Sequence, residues 1–329
     1  MDGRQYCGQL GKQDNCQVAV SLPLTNGFAS LPVAYRLYLP QDWADDAVRR
    51  AKAGVPDDVA FKTKPQLALE QITWACATGL PRGVVLMDAG YGVDARLRLG
   101  LTALGLIDVA EVLPNTLASM PGADVMPPQG APMKGRRDND NIVSLKEIAL
   151  AISAAEWRTV SWREGTCDVL TSRFARVCLR VAHRHAGNHA EEWLLVEWPE
   201  SEPEPTKYWL STLPADIAFE RLVETAKLRW RIERDYHDLK QVVGLGHYEG
   251  RACEAWLRHD AGVASIITNA LHRGLRLPHL RAGDHSPLKT TQPTDHAATC
   301  RFRKLSTPRR RRCGLNGTCR TQSRLCTAV

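Results

Sequence analysis

Arg229, Glu233 and Lys240 place one acid between two bases in the run Leu228-Arg-Trp-Arg-Ile-Glu-Arg-Asp-Tyr-His-Asp-Leu-Lys240. At about 100° per residue in a 3.6-residue helix, both cations fall within roughly 40° of Glu233. A carboxylate flanked in this way suits a metal ligand beside groups that grip phosphate oxygens. Leu228, Ile232, Leu239 and Val243 form a separate apolar stripe, so the helix can bury one face and present the charged one to a cleft. The same spacing also suits a solvated face whose ion pairs contribute about 0.2–0.5 kcal/mol each.

A second acid stands far upstream, in Gly83-Val-Val-Leu-Met-Asp88-Ala-Gly-Tyr-Gly92. Four apolar residues, an acid and a Gly-x-Gly turn predict a buried strand whose carboxylate emerges at its C-terminal end, where ligands bind in open α/β sheets. The alternative for Asp88 is a turn or helix-cap aspartate.

Several elements must position these groups. Residues 15–24 and 31–39 alternate in polarity and are joined by a Thr-Asn-Gly signal, predicting a hairpin. Residues 64–78 read as an amphipathic helix with Leu67, Ile72 and Ala75 inward. Residues 91–104 read as another, stopped by Gly105. The Glu233 helix is expected to start with Asp216 as N-cap and to close at Gly244. Between them, residues 120–140 read as a loop, and residues 157–162, 173–181 and 192–198 are rich in β-formers. Core packing is the expected role of Tyr236, and His237 is expected to be solvated.

With their flanks, these runs resemble DDE-type transposases of bacterial insertion sequences. The resemblance covers residues 5–258 and rests on Arg4-Gln-Tyr-Cys-Gly-Gln-Leu-Gly-Lys-Gln-Asp-Asn-Cys16, Leu31-Pro-Val-Ala-Tyr-Arg-Leu-Tyr-Leu-Pro40, Leu86-Met-Asp-Ala-Gly-Tyr-Gly92, Lys207-Tyr-Trp-Leu-Ser-Thr-Leu-Pro214 and residues 229–251, in the family's order. It implies an α/β, ribonuclease-H-like mixed sheet with flanking helices, in which two aspartates and a glutamate hold Mg²⁺ or Mn²⁺. Asp88 matches the second aspartate and Glu233 the glutamate, as catalytic and metal-binding residues. Arg229 and Lys240 match DNA-binding positions of a Tyr-x2-Arg-x3-Glu-x6-Lys signature, in which Ala226 replaces the tyrosine. The implied partners are double-stranded DNA, as transposon ends and target, and a second copy of the chain on that DNA. The implied reaction is metal-dependent phosphodiester cleavage and strand transfer.

The family's first aspartate lies in an Asp-Asp-Thr-Gly-like segment upstream of the Arg4 run, which here would precede Met1. Asp2 and Asp14 are the nearest acids, one at a terminus and one in a polar turn. The expectation is therefore an N-terminally truncated chain, incomplete at its first core strand and catalytically impaired. A non-catalytic DNA-binding remnant, able to inhibit an intact enzyme, is the alternative. Another ribonuclease-H-like nuclease or recombinase is a further one, disfavoured by the resemblance of residues 207–251.

The predicted organisation is a first core part at 1–106, a β-rich insertion at 107–205, a second core part at 206–286 and a basic, irregular tail at 287–329. Asp88 and Glu233 are too far apart in sequence for a bare ribonuclease-H fold, which is why an insertion is expected. The resemblance implies that it contacts the transposon end. Trp157, Trp162, Trp193 and Trp198 serve either there or as core.

At 44% hydrophobic residues the chain can build a real core, and no apolar run approaches the ~18 residues of a membrane span. A cytoplasmic, nucleoid-associated protein is expected, with no signal peptide in its opening residues. The ten cysteines lack a C-x-x-C pair, which favours reduced thiols over zinc or disulfides. Residues 287–329 hold ten lysines and arginines against the single acid Asp295, a net +9. As the whole chain is +7, residues 1–286 stand at about −2. The tail suits phosphate binding without sequence readout, and its mixture of Arg, Cys, Thr and Pro also suggests out-of-frame translation.

Overall fold

The computed structural model describes residues 3–7, 12–25, 30–120, 142–164, 169–182, 190–234, 236 and 324–325. The chain opens with two antiparallel hairpins, β1 (Gly3–Cys7) with β2 (Lys12–Cys16), and β3 (Ala19–Thr25) with β4 (Ser30–Leu37). The β3–β4 register slips between Leu22 and Pro23, where proline offers no N–H to the ladder. Helices α1 (Gln41–Ala44) and α2 (Ala47–Ala53) follow. Asp46 caps α2 through the Arg49 N–H, and Gly54 ends it at φ 66°.

Helix α3 (Lys64–Ala77) begins with a capping box in which Thr63 and Gln66 each accept the other's backbone N–H. It buries Leu67, Ala68, Gln71, Ile72 and Ala75, the expected face, and Gln71 Nε2 donates to the Val20 carbonyl at 3.0 Å, fastening α3 to β3. β5 (Val84–Met87) and β6 (Ile107–Val112) pair in parallel, linked by α4 (Ala89–Gly92) and α5 (Ala95–Ala103). The single helix expected over residues 91–104 is thus two. Asp94 interrupts it by accepting the Leu97 N–H at 2.8 Å and starting α5 afresh, and Gly105 closes α5 at φ 67°.

β7 (Leu117–Ser119), β8 (Ile142–Ser144), α6 (Leu145–Ala151), β9 (Arg158–Glu164), β10 (Val169–Val181), β11 (Glu192–Trp198) and β12 (Lys207–Ser211) complete an eight-stranded mixed sheet. Its order is β5-β6-β12-β11-β10-β7-β8, with β9 on β10. The β-forming segments do form strands, and they continue the sheet of β5 and β6: β12 bonds to β6 with Leu210 opposite Ala110. The expected loop at 120–140 lies almost wholly outside the described residues.

Four apolar clusters lie among the described residues, the smallest around Leu39 and Val55 beside α1 and α2. Val85 and Met87 face α3 and α5, while Leu86 faces the second cluster under α7 (Phe219–Lys227). Covered on both faces, β5 needs the unbroken apolar run that the sequence shows. A third cluster packs α6 on the far end of the sheet. Trp162 and Trp193 pack on the α7 cluster. Trp157 packs on the α6 cluster with its ring 5.3 Å from that of Trp198, so these tryptophans contribute to packing.

The start of the Glu233 element corrects the sequence reading. Ala218, not Asp216, is the N-cap of α7, without a side-chain cap, and the helix ends at Lys227 before residues 230–234 resume helical form. Of the tail, expected to be irregular, Arg324–Leu325 forms β13, antiparallel to β3 and with Cα atoms within 8 Å of those of β5. The rest of residues 287–329 lies outside the described residues. Among the described residues no helix is long and apolar enough to cross a membrane.

A candidate metal and phosphate site

Asp88 leaves the C-terminal end of β5 and becomes the N-cap of α4, its Oδ1 accepting the Tyr91 N–H at 3.2 Å. Asp88 thus both emerges from the end of β5 and caps α4, and capping engages Oδ1 while Oδ2 is left to Arg229. Two glycines line the turn. A Cβ on Gly90 would lie 3.1 Å from Asp88 Oδ1, and one on Gly92 would lie 2.1 Å from the Glu111 carbonyl oxygen. Only a bare backbone fits against β6 at Gly92.

Arg229 follows α7, which packs over Leu86 of β5. Its Nη1 lies 3.5 Å from Asp88 Oδ2, and its Nη2 donates to Glu233 Oε1 at 2.7 Å. Ile232, fully buried in the α7 cluster, anchors the turn that carries both side chains. One planar fork thus touches both carboxylates, so the two acids sit less than roughly 10 Å apart although 141 residues separate Asp88 from Arg229. Asp88 and Arg229 are mostly covered, and Glu233 is 64% exposed.

Two neighbours escaped the sequence reading. Lys64, the first residue of α3, is half-buried with its Nζ 5.3 Å from the Tyr38 ring centre. Burial lowers its pKa, while nearby Cys16 and Asp88 oppose that shift. Tyr91 is 3% exposed, and its hydroxyl has no hydrogen-bond partner among the described residues. Burial first, then the Asp88 charge and Tyr236, raise its pKa, and Arg229 opposes them. A lysine at a helix start and a tyrosine after a Gly-rich turn carry no local signal of either position. Tyr236 packs on the α7 cluster, as expected, with its ring 6.5 Å from that of Tyr35. Lys240 and His237 lie outside the described residues.

Among the described residues no group of three or more His, Cys, Asp or Glu gathers as a metal cage. Asp88 and Glu233 nonetheless offer hard carboxylate oxygens within the span of one guanidinium. Mg²⁺ is commonly held by one or two carboxylates together with water and substrate phosphate, so the donor set fits a divalent cation of that kind.

A protein-family model described as DDE superfamily endonuclease matches residues 1–168. The matched stretch includes Asp88, and Arg229 and Glu233 lie beyond it. No curated protein matches the chain.

Proposed function

The chain belongs to the DDE superfamily endonucleases, and from that premise we propose that Asp88, Arg229 and Glu233 form its phosphodiester-processing site. The observation that carries this reading is the guanidinium of Arg229 in contact with both acids. Asp88 and Glu233 would hold Mg²⁺ or Mn²⁺. Bound there, the ion supplies activation of the attacking hydroxyl or water and stabilises charge on the leaving oxygen. Arg229 presents a fork suited to non-bridging phosphate oxygens, and Lys64 adds positive potential beside Asp88. By its seven-residue spacing from Glu233, Lys240 is proposed as a further phosphate contact.

The substrate in this reading is double-stranded DNA at the ends of an insertion sequence and at its target, with strand transfer following cleavage on a homodimer. Only two acids converge among the described residues, and this favours slow cleavage by the chain alone. The same observation supports a second reading, a DNA-binding remnant without catalysis. The test is Mn²⁺-dependent nicking of supercoiled plasmid by the 329-residue chain, compared with Asp88→Asn and Glu233→Gln. Slow nicking that both substitutions abolish is expected. Equal nicking by all three proteins would remove these residues from the chemistry, and DNA retention with no nicking would favour the remnant.

A further inference from the structure

Arg229 occupies an unusual place for a phosphate-binding group, because both arms of its fork are already engaged by carboxylates. Nη1 stands 3.5 Å from Asp88 Oδ2 and Nη2 stands 2.7 Å from Glu233 Oε1. The pair with Glu233 is exposed and of the kind that contributes little to stability. The contact with Asp88 is more covered, at 19% and 25% side-chain exposure, and it crosses between two chain segments remote in sequence. A divalent cation shared by the two acids would compete with the guanidinium for their negative charge and would repel it, so ion and arginine oppose each other at this pair.

Resting on the reading above, we propose that Arg229 is the resident counter-ion of the Asp88–Glu233 pair. A divalent cation must displace it, and the fork released by that exchange turns to a DNA phosphate. Cation entry and phosphate capture are then two halves of one exchange. The arginine offsets one of the two negative charges when no ion is bound and becomes available for phosphate when one is. Because the coupling is thermodynamic, cation and DNA must strengthen each other's binding by the same factor. Removing Arg229 should therefore improve cation binding, because it takes away a positive charge that holds both acids.

The experiment is a titration of the full 329-residue chain with Mn²⁺ alone, following free Mn²⁺ by electron paramagnetic resonance. It compares the parent with Arg229→Gln, Arg229→Lys and Asp88→Asn, each checked for fold by circular dichroism. Arg229→Gln should bind Mn²⁺ about tenfold more tightly or better, the scale expected from removing a unit charge a few ångströms from the ligands. Arg229→Lys, which keeps the charge without the fork, should fall between, and it decides the matter if the glutamine variant does not fold. A short DNA duplex should tighten Mn²⁺ binding in the parent and not in Arg229→Gln. Parental affinity that vanishes in Asp88→Asn but is unchanged or weaker in Arg229→Gln overturns the counter-ion role and leaves the metal site standing. Absence of saturable binding in both the parent and Arg229→Gln overturns the site reading and this proposal together.

Discussion

Gly92 lies directly against the backbone of Glu111, so that a Cβ on Gly92 would sit 2.1 Å from the Glu111 carbonyl oxygen. The contact seats α4 on β6 and fixes the turn in which Asp88 caps the helix. Backbone cannot yield as a flexible side chain can, so Gly92→Ala should destabilise the chain by about 1–3 kcal/mol or more. Urea denaturation measures the loss, and an unchanged midpoint would show that α4 is free to lift from β6.

Lys227 and Glu197 form a covered ion pair with Nζ–Oε distances of 2.6 and 2.7 Å, and the Trp162 ring centre lies 4.4 Å from Nζ. Lys227→Met alone leaves Glu197 buried and unpaired, at a cost of about 3–5 kcal/mol. The double variant Lys227→Met, Glu197→Leu should recover much of that loss, because the surrounding Phe174, Trp162 and Trp209 are already apolar. A double-mutant cycle by chemical denaturation reads the coupling. Additive losses would mean that the pair is not energetically linked.

Arg98 joins Asp108 of β6, at 3.4 Å, to Glu192 of β11. Burial raises the pKa of Glu192, the Arg98 charge opposes that shift and Asp108 adds to it. A raised carboxyl pKa means that the folded state holds this proton more tightly than the unfolded chain. Stability attributable to Glu192 is therefore greatest below the ordinary glutamate range near pH 4.5 and falls as pH rises through its folded pKa. Glu192→Gln should flatten this decline, and thermal unfolding across the acid range checks it. Parallel pH profiles for the two proteins would assign the decline to other groups.

The buried Tyr91 hydroxyl costs desolvation and gains no hydrogen bond from the described residues. Tyr91→Phe should leave stability unchanged or raise it by up to about 1 kcal/mol. A loss above that, measured by thermal unfolding, would reveal a hydrogen bond to the hydroxyl.

Local chemistry was legible in the sequence wherever neighbours in the chain are neighbours in space. The i, i+4 spacing of Arg229 and Glu233 sets their contact even across the interruption after Lys227. The apolar run before Asp88 sets a strand covered on both faces, and the faces of α3 and the strands of the β-rich stretch followed from periodicity. Helix starts were less legible. Asp94 divides one expected helix into two, and Asp216 leaves the N-cap of α7 to Ala218, because a capping side chain acts only if the local turn brings it to a free N–H. Only the tertiary structure brought Arg229 to Asp88, Lys64 to the same carboxylate, Arg98 to Glu192 and Lys227 into its ring of tryptophans. These meetings depend on the order in which strands join the sheet and on which face each helix covers. No spacing along the chain encodes either, since packing energy is summed over contacts between segments that are remote in sequence.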